Sequence, residues 1–598
     1  MKARDDLDIL ANHIGYASAS TKSAVLKGRK GAEAPGGQAP PGGEQPSPGF
    51  DIVEARSGST VFRGKARFAG AVARWKDWVF WSLDFTALER PGTYLIQLET
   101  EPGRSPLRSR PFEISQDPLL NRTAPAVLDY FRSRRCSGIW DRADRGAGFV
   151  GSRSDRVDVH GGWYDASGDI SKYLSHLSYA NYMNPQQTPL AVWSFLRARE
   201  LLGRKEASPP GAAGLQGLRV GLLEEALYGA DFLVRMQDPA GYFYVGVFDR
   251  WSKDPDQRRI CSFRGQAGHR SEDYQAGYRQ GGGLAIAALA GVSTLGAAGE
   301  FGPEQYLHAA VRAFHHLEKH NTAYLDDGQE NIIDDYCALL AASELYEAAR
   351  MCGAGGGEPF LGAARRRTRQ LTARLSEDER YKGWWRADRA GQRPYYHAVE
   401  AGLPVVSLLR YRQVEPEGRR REQALGTVAA SLCFELAVTG EVVNPFGYAR
   451  QYVRSRTGPK RSSFFMPHDN ESGYWWQGED ARLASLAAAA RLSVPELAHE
   501  PELARRLEEY AGHQLDWILG LNPFDACMLH GFGRNNPEYE PDYPNAFGGI
   551  CNGITAGFEE EQDIDFLPLP YAAQGEHRWR WSEQWIPHAA WYLLAVCA

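Results

Sequence analysis

Two aspartates four residues apart, Asp165 and Asp169, lie in the stretch DVHGGWYDASGDISKY beside His160, Trp163 and Tyr164, with glycines on either side. Asp and Gly together are ordinary turn and helix-cap chemistry. Two carboxylates among aromatics can also do acid–base work, because desolvation and a neighbouring negative charge both raise a carboxyl pKa. A third carboxylate, Glu583, sits between Trp581 and Trp585 at the start of the last apolar segment. It has two readings: a helix-start acid favoured by the dipole, or a desolvated general acid.

These residues fall on long connections. One runs from Asp158 to Pro189. A second, Asn444 to Ser485, carries His468, Asp469, Glu471, Tyr474, Trp475, Trp476, Gln477 and Glu479. A third is the Gly-, Pro- and Asn-rich excursion that includes Arg534 and ends at Glu583. Long connections on one face of a rigid scaffold are where sites are built. His160, Trp163, Tyr164, His468, Tyr474, Trp475, Trp476 and Arg534 are the candidates to hold a ligand there.

The scaffold changes character once. Residues 1–117 hold short alternating runs (KSAVLKG, FDIVEAR, STVFRGKA, WVFWSLDF, GTYLIQLET) split by turn residues, the pattern of a β-sandwich. Within them, residues 31–49 are Pro- and Gly-rich and nearly free of apolar anchors, which predicts a loop. Residues 118–598 show helical periodicity instead. Twelve segments start near Leu119, Thr188, Gly221, Gly277, Glu304, Ile332, Phe360, His397, Arg421, Glu479, Pro501 and Glu583. Pro404 marks an alternative start for the His397 segment, since proline is tolerated in a first turn. Twelve helices suggest six hairpins closed into an (α/α)6 barrel. An α-solenoid is the alternative, but no fixed-period repeat is present.

Composition narrows the function. A formal net charge of −6 over 598 residues gives no basic footprint for nucleic acid. No apolar run reaches the roughly 18 residues of a membrane span. The N-terminus lacks the apolar stretch of a secretory signal, so the expectation is a cytoplasmic protein, or a secreted one if a signal peptide has been removed. Eight cysteines without a CxxC pair read as reduced thiols, with Cys337 and Cys433 buried in apolar helical runs. Sixteen Trp suit stacking on sugar rings, or equally a large helical core. Oligomeric state is open.

GGWYDASGD resembles the Gly-Gly-Trp-Tyr-Asp-Ala-Gly-Asp signature of glycoside hydrolase family 9. LANHIGYASASTKSAVL is similar to the first strands of the immunoglobulin-like domain often fused ahead of that family's barrel, and DWILGLNPFDACMLHGFG to its D-Y-I-L-G-x-N-P segment. The resemblance implies an (α/α)6 barrel and inverting hydrolysis of β-1,4-glycosidic bonds in an oligosaccharide or polysaccharide. Glu583 would be the acid, and Asp165 and Asp169 would hold and deprotonate the water. No cofactor is required. Asp335 matches a position that often carries an acid lining the cleft.

Three departures stand out. Ser167 widens the spacing between the aspartates from three to four. The zinc that many members hold just before the aspartate loop is not expected, because Cys136 and His160 have no second Cys beside them. The stretch after GFG, rich in His and Arg in endoglucanases, reads RNNPEYEPDYPNAF. That last change, with the missing export signal and the unpaired cysteines, predicts exo-type cleavage of short chains, glucosamine-containing ones among them, with Asp335, Asp469, Glu471 and Glu479 as partners for an ammonium group. An endoglucanase is the alternative; a barrel that binds sugar without cleaving it, or an interaction scaffold, are rivals from other classes.

Other stretches have plainer readings. FDRWSKDPDQR places Asp249, Asp254 and Asp256 where calcium is conceivable, but their spacing is not that of an EF-hand and a solvated loop is favoured. YRQGGGLAIAALA lacks the context of a phosphate cradle. DDYCALLAASELY places Asp334 and Asp335 at a helix start, where N-capping explains one of them.

Overall fold

The computed structural model describes residues 7–30, 47–98, 105–206, 215–352, 356–569 and 571–598. The predicted loop over 31–49 lies outside these except for its last three residues, and Gly49 already begins a strand.

Among the described residues ten strands form the N-terminal sandwich: β1 (Asp8–Leu10), β2 (Tyr16–Ala17), β3 (Ser23–Arg29), β4 (Gly49–Glu54), β5 (Thr60–Lys65), β6 (Arg67–Gly70), β7 (Trp78–Asp84), β8 (Gly92–Leu98), β9 (Leu107–Arg108) and β10 (Phe112–Ser115). One sheet has the order β1-β3-β7-β6; the other runs β2-β10-β8-β4-β5, with β9 beside β8. Successive side chains of a strand face opposite ways, and β3 and β7 bury both faces. Leu26 and Trp81 join the sandwich core, while Val25 and Phe80 join the core of the helical domain.

Fourteen α-helices follow among the described residues: α1 (Pro118–Arg134), α2 (Gly138–Asp144), α3 (Thr188–Glu206), α4 (Leu215–Arg235), α5 (Gly282–Ser293), α6 (Pro303–Tyr324), α7 (Ile332–Met351), α8 (Glu358–Thr372), α9 (Leu403–Val414), α10 (Gly418–Gly440), α11 (Asp480–Ser493), α12 (Pro501–Ile518), α13 (Gly575–Ser582) and α14 (Ile586–Cys597). Twelve correspond to the expected segments, and α9 does start beside Pro404. The two short ones, α2 and α13, were not anticipated.

Helices α3, α5, α7, α9, α11 and α14 pack neighbour to neighbour into a closed inner ring. Each is paired with an outer helix: α4, α6, α8, α10, α12 and α1 respectively. This is an (α/α)6 barrel preceded by a β-sandwich. The inner helices are apolar nearly all round, and every residue of α14 from Ile586 to Cys597 is buried. Outer helices such as α12 alternate buried apolar with exposed charged residues, the stripe of a helix half in solvent. The glycine run at the head of α5 serves packing: a Cβ on Gly283 would come within 2.7 Å of the Cys337 Cβ on α7.

The sandwich is seated on the barrel through Trp75, fully buried against Phe464, Phe465 and Trp517. Asn12 donates to Asp516 at 2.7 Å and Lys27 to the Pro523 carbonyl at 2.8 Å. Among the described residues one helix, α10, is long and apolar enough by length and composition to cross a membrane; half of its most apolar window is buried inside the fold. Cys337 is buried, but Cys433 is exposed, because it falls on the outward face of α10.

Candidate active site

The aspartate loop and the segment carrying Glu583 are brought together by backbone pairing. Ala166 bridges Trp585, and the Ile586 N–H donates to the Asp165 carbonyl at 3.1 Å. Ser167, the residue that widens the aspartate spacing, makes this junction: its N–H donates to the Gln584 carbonyl and its hydroxyl accepts the Gln584 N–H, both at 2.9 Å. Gly168 turns the chain at φ +73°, where a Cβ would come within 3.0 Å of the Tyr539 ring. Glu583 is not in a helix N-terminus. It follows the last residue of α13 in extended backbone, three residues ahead of Ile586, where α14 begins.

Each aspartate is held differently. Asp165 accepts from the Gln187 side chain at 2.5 Å and from the Trp585 indole at 2.8 Å. Asp169 accepts from the Ser171 N–H at 2.8 Å on one oxygen, and from the Tyr173 hydroxyl and the Trp251 indole, both at 3.2 Å, on the other. Burial raises the pKa of all three carboxyls above the ordinary range, most for Asp165 and Glu583. Asp169 adds to the rise of Asp165, and both aspartates add to that of Glu583, against smaller opposing effects from Asn552 and Lys253. A cluster of this kind keeps a proton on Glu583, while three donors stabilise the ionised form of Asp169.

A cavity of about 700 Å³ opens on the three carboxylates, a size typical of small-molecule sites. Its walls include Tyr173, Trp251, Phe263, Tyr474, Trp475, Tyr539, Tyr543, Trp579 and Trp585. Lys253 is the one Lys or Arg among the lining residues, against Glu540 and Glu576 in addition to the three central carboxylates. Tyr474 and Trp475 were foreseen here. Tyr539 and Tyr543 lie in the stretch noted as replacing the His- and Arg-rich pattern, and Trp251 and Lys253 in the loop weighed for calcium. Their types were visible in the sequence, but their approach to the carboxylates was not.

The other candidate residues are placed elsewhere. Trp163 is buried in the barrel core against Phe131 and Phe195, its indole donating to Glu225 at 3.1 Å. His160 faces Asp158 at 2.7 Å, and the Tyr164 hydroxyl is bonded to the backbone of Ser137. Trp476 is sandwiched between His468, stacked at 3.8 Å, and Arg580, at 4.2 Å from its ring centre. Arg534 is a bidentate partner of Asp525, next to His13 of the sandwich. Asp335 is buried between Arg374 at 2.5 Å and Arg367 at 3.3 Å. Asp469, Glu471 and Glu479 are likewise paired, with Arg456, Arg393 and Arg482. None of these side chains lines the cavity. Asp334 closes a capping box by accepting the Asn331 N–H at 3.0 Å.

Among the described residues no group of three or more His, Cys, Asp or Glu side chains is placed to hold a metal ion. Cys136 lies 3.7 Å from Asp144, but the cation there is Lys172. The buried Lys172 ammonium takes Asp144 at 2.7 Å and the carbonyls of Val159 and Gly161 at 2.8 and 2.7 Å. Those three acceptors saturate its three N–H groups, and Arg258 pairs with the same Asp144 at 2.6 Å. This donor set does not fit a zinc. In the loop weighed for calcium, the oxygens of Asp249 are occupied by the Ser171 hydroxyl and the N–H groups of Trp251 and Lys253, and Asp254 caps the Asp256 N–H.

Residues 122–542 match the model of Glycosyl hydrolase family 9, and residues 5–102 match that of the Cellulase N-terminal ig-like domain. Glu583 lies beyond the first match. A xyloglucan-specific endo-beta-1,4-glucanase of Bacteroides ovatus is 23% identical over 570 residues, covering 89% of this chain and 81% of that protein. Among solved structures, a metagenome-derived glycoside hydrolase family 9 endoglucanase shares the fold with a TM-score of 0.64 at 19% identity, over 99% of this chain and 98% of that one. A Zn-binding triple mutant of the family 9 endoglucanase J30 does so at 0.63 and 19%, over 97% and 99%. With its (α/α)6 barrel and the sandwich ahead of it, this chain belongs to glycosyl hydrolase family 9 and is a glycoside hydrolase.

Proposed function

We propose that this enzyme is an inverting endo-β-1,4-glucanase. The observation that carries the reading is the convergence of three carboxylates, the buried Asp165 and Asp169 and the half-buried Glu583, on one aromatic-walled cavity. Glu583, whose proton is retained by burial and by the two aspartates, protonates the leaving oxygen. Asp169, whose negative charge is stabilised by three donors, takes the proton of the attacking water. Asp165, fixed by Gln187 and Trp585, holds that water. Inversion follows when the acid and the base work from opposite faces of the sugar with water between base and anomeric carbon. The aromatic walls suit the apolar faces of glucose rings.

The expected exo-type cleavage of glucosamine-containing chains loses its support. The four acids named as partners for an ammonium group are each paired with arginine away from the cavity. The named relative is an endo-acting glucanase. The test is time-resolved product analysis on xyloglucan, carboxymethylcellulose, cello-oligosaccharides and chitosan oligosaccharides. Rapid loss of viscosity with mixed oligosaccharide products is expected on one of the glucans. Monosaccharide release from one chain end, or cleavage of the chitosan substrate alone, would overturn the endo-glucanase reading; binding without cleavage would overturn hydrolysis altogether.

A further inference from the structure

Three residues in the four-residue run 250–253 have left-handed backbone without being glycine: Arg250 at φ +62°, Trp251 at +57° and Lys253 at +58°. Side chains larger than hydrogen are costly there, and such strain persists only where surrounding structure over-determines it. Here the surrounding structure is Asp249, which is fully buried and does not line the cavity. One of its oxygens accepts the Trp251 N–H at 3.1 Å, and the other the Lys253 N–H at 2.7 Å. The first oxygen also accepts the Ser171 hydroxyl at 2.8 Å.

Ser171 and Trp251 are two of the three groups that hold the oxygens of Asp169, the third being the Tyr173 hydroxyl. The Ser171 N–H binds Oδ1 at 2.8 Å and the Trp251 indole binds Oδ2 at 3.2 Å. One buried carboxylate thus fixes two of the three holders of another. The backbone frames the same circuit: Lys172–Tyr173, just past Ser171, pairs antiparallel with Gly246–Phe248, just before Asp249. A turn of glycines would reach the same shape without strain, but it would carry neither the indole nor the Lys253 ammonium, which lies 4.1 Å from the centre of the Tyr543 ring.

We propose that Trp251 is a positioning residue that holds and aims Asp169, and that Asp249 in turn forces Trp251 into place. The assignment rests on Asp169 being the base. Asp169 faces the carboxyl groups of Asp165, Asp249 and Glu583, with the phenols of Tyr173 and Tyr539 beside it. The indole donor therefore matters most to its ionised form.

The test uses the full chain and Trp251→Phe, which keeps an aromatic wall and removes only the N–H. On whichever glucan the wild type cleaves, kcat is expected to fall about tenfold to a hundredfold with KM little changed. The acidic limb of the pH profile moves to higher pH, since the ionised base has lost a donor. Asp249→Asn is expected to show the same split between kcat and KM, because its amide cannot accept at both oxygens. Titration of 13C-labelled aspartate carboxyls, with Asp169 assigned through Asp169→Asn, reads the upward pKa shift in Trp251→Phe without turnover. A Trp251→Phe enzyme with wild-type kcat, pH limb and Asp169 titration would overturn the proposal, even if its melting temperature fell. A wild type inert on every glucan would instead sink the proposed function and leave the carboxyl titration to decide this one.

Discussion

Glu583 and Trp163 illustrate how burial separates chemistry from packing. Trp163 is fully buried and faces Phe131, Phe195 and Glu225, whereas the half-buried Glu583 faces the cavity and the two aspartates. Glu583→Gln keeps shape and loses the transferable proton. Its kcat on unactivated oligosaccharides is expected to fall by about 10²–10⁴-fold while calorimetric binding of the same oligosaccharide survives. The alkaline limb of the pH profile, set by loss of the Glu583 proton, should disappear with it. Trp163→Ala should cost about 3–5 kcal/mol of stability in a denaturant titration and leave KM of the folded fraction unchanged; a raised KM at full stability would return Trp163 to the cleft. The two aspartates could be read from the sequence because their type, spacing and glycine setting are local, whereas the choice of Glu583 as the acid rests on the family resemblance. The role of Trp163 could not, since it is set by Phe195 and Glu225, which lie 32 and 62 residues further on. Asp335 was misread for the same reason: Arg367 and Arg374, which neutralise it, sit on and just beyond the next helix.

The inner helices and the turns that lead into them enclose titratable groups whose charged forms are disfavoured. Burial pushes Glu400, just ahead of α9, up to about 8, against the pull of Tyr336 and Gln186. Burial likewise pushes Asp516 on α12 up to about 7. A carboxyl whose folded pKa is raised keeps its proton while the unfolded chain releases it, so its contribution to stability is lost as pH rises through the folded value. The imidazoles act in the other direction. Burial lowers His176 to about 4 and His397 and His588 to about 3, so the unfolded chain takes up protons below about 6.5 that the folded chain refuses. Melting temperature is therefore expected to peak near pH 6–7 and to fall towards pH 8, with Glu400→Gln flattening the alkaline decline. An unchanged slope in that variant would show that Glu400 is ionised in the fold. The helices themselves were legible because 3.6-residue periodicity and proline starts are local signals. The short α2 and α13 were not, as 7 and 8 residues carry too little periodicity. Small strands such as β2 and β9, of two residues each, escape for the same reason.

At the scale of the molecule, the sandwich and the barrel share one core. Trp75 and Phe80 belong to the same buried cluster as Trp517 and Phe446. Calorimetry should show a single cooperative transition for both parts. Trp75→Ala is expected to cost about 3–5 kcal/mol and to split that transition in two. One transition at an unchanged temperature would mean that the interface adds nothing.

Trp75 reaches its niche only when Trp517 exists, and Trp517 lies more than 400 residues further along the chain. At roughly 5–20 residues per second, a ribosome needs about 20–90 s to cover that distance. Throughout that interval the sandwich, already long enough to fold, presents Trp75, Phe80 and Val25 to water. The seam that makes the finished enzyme a single unit is, during synthesis, a sticky surface waiting for its other half, and the nascent chain has to be kept from its neighbours until the twelfth helix emerges.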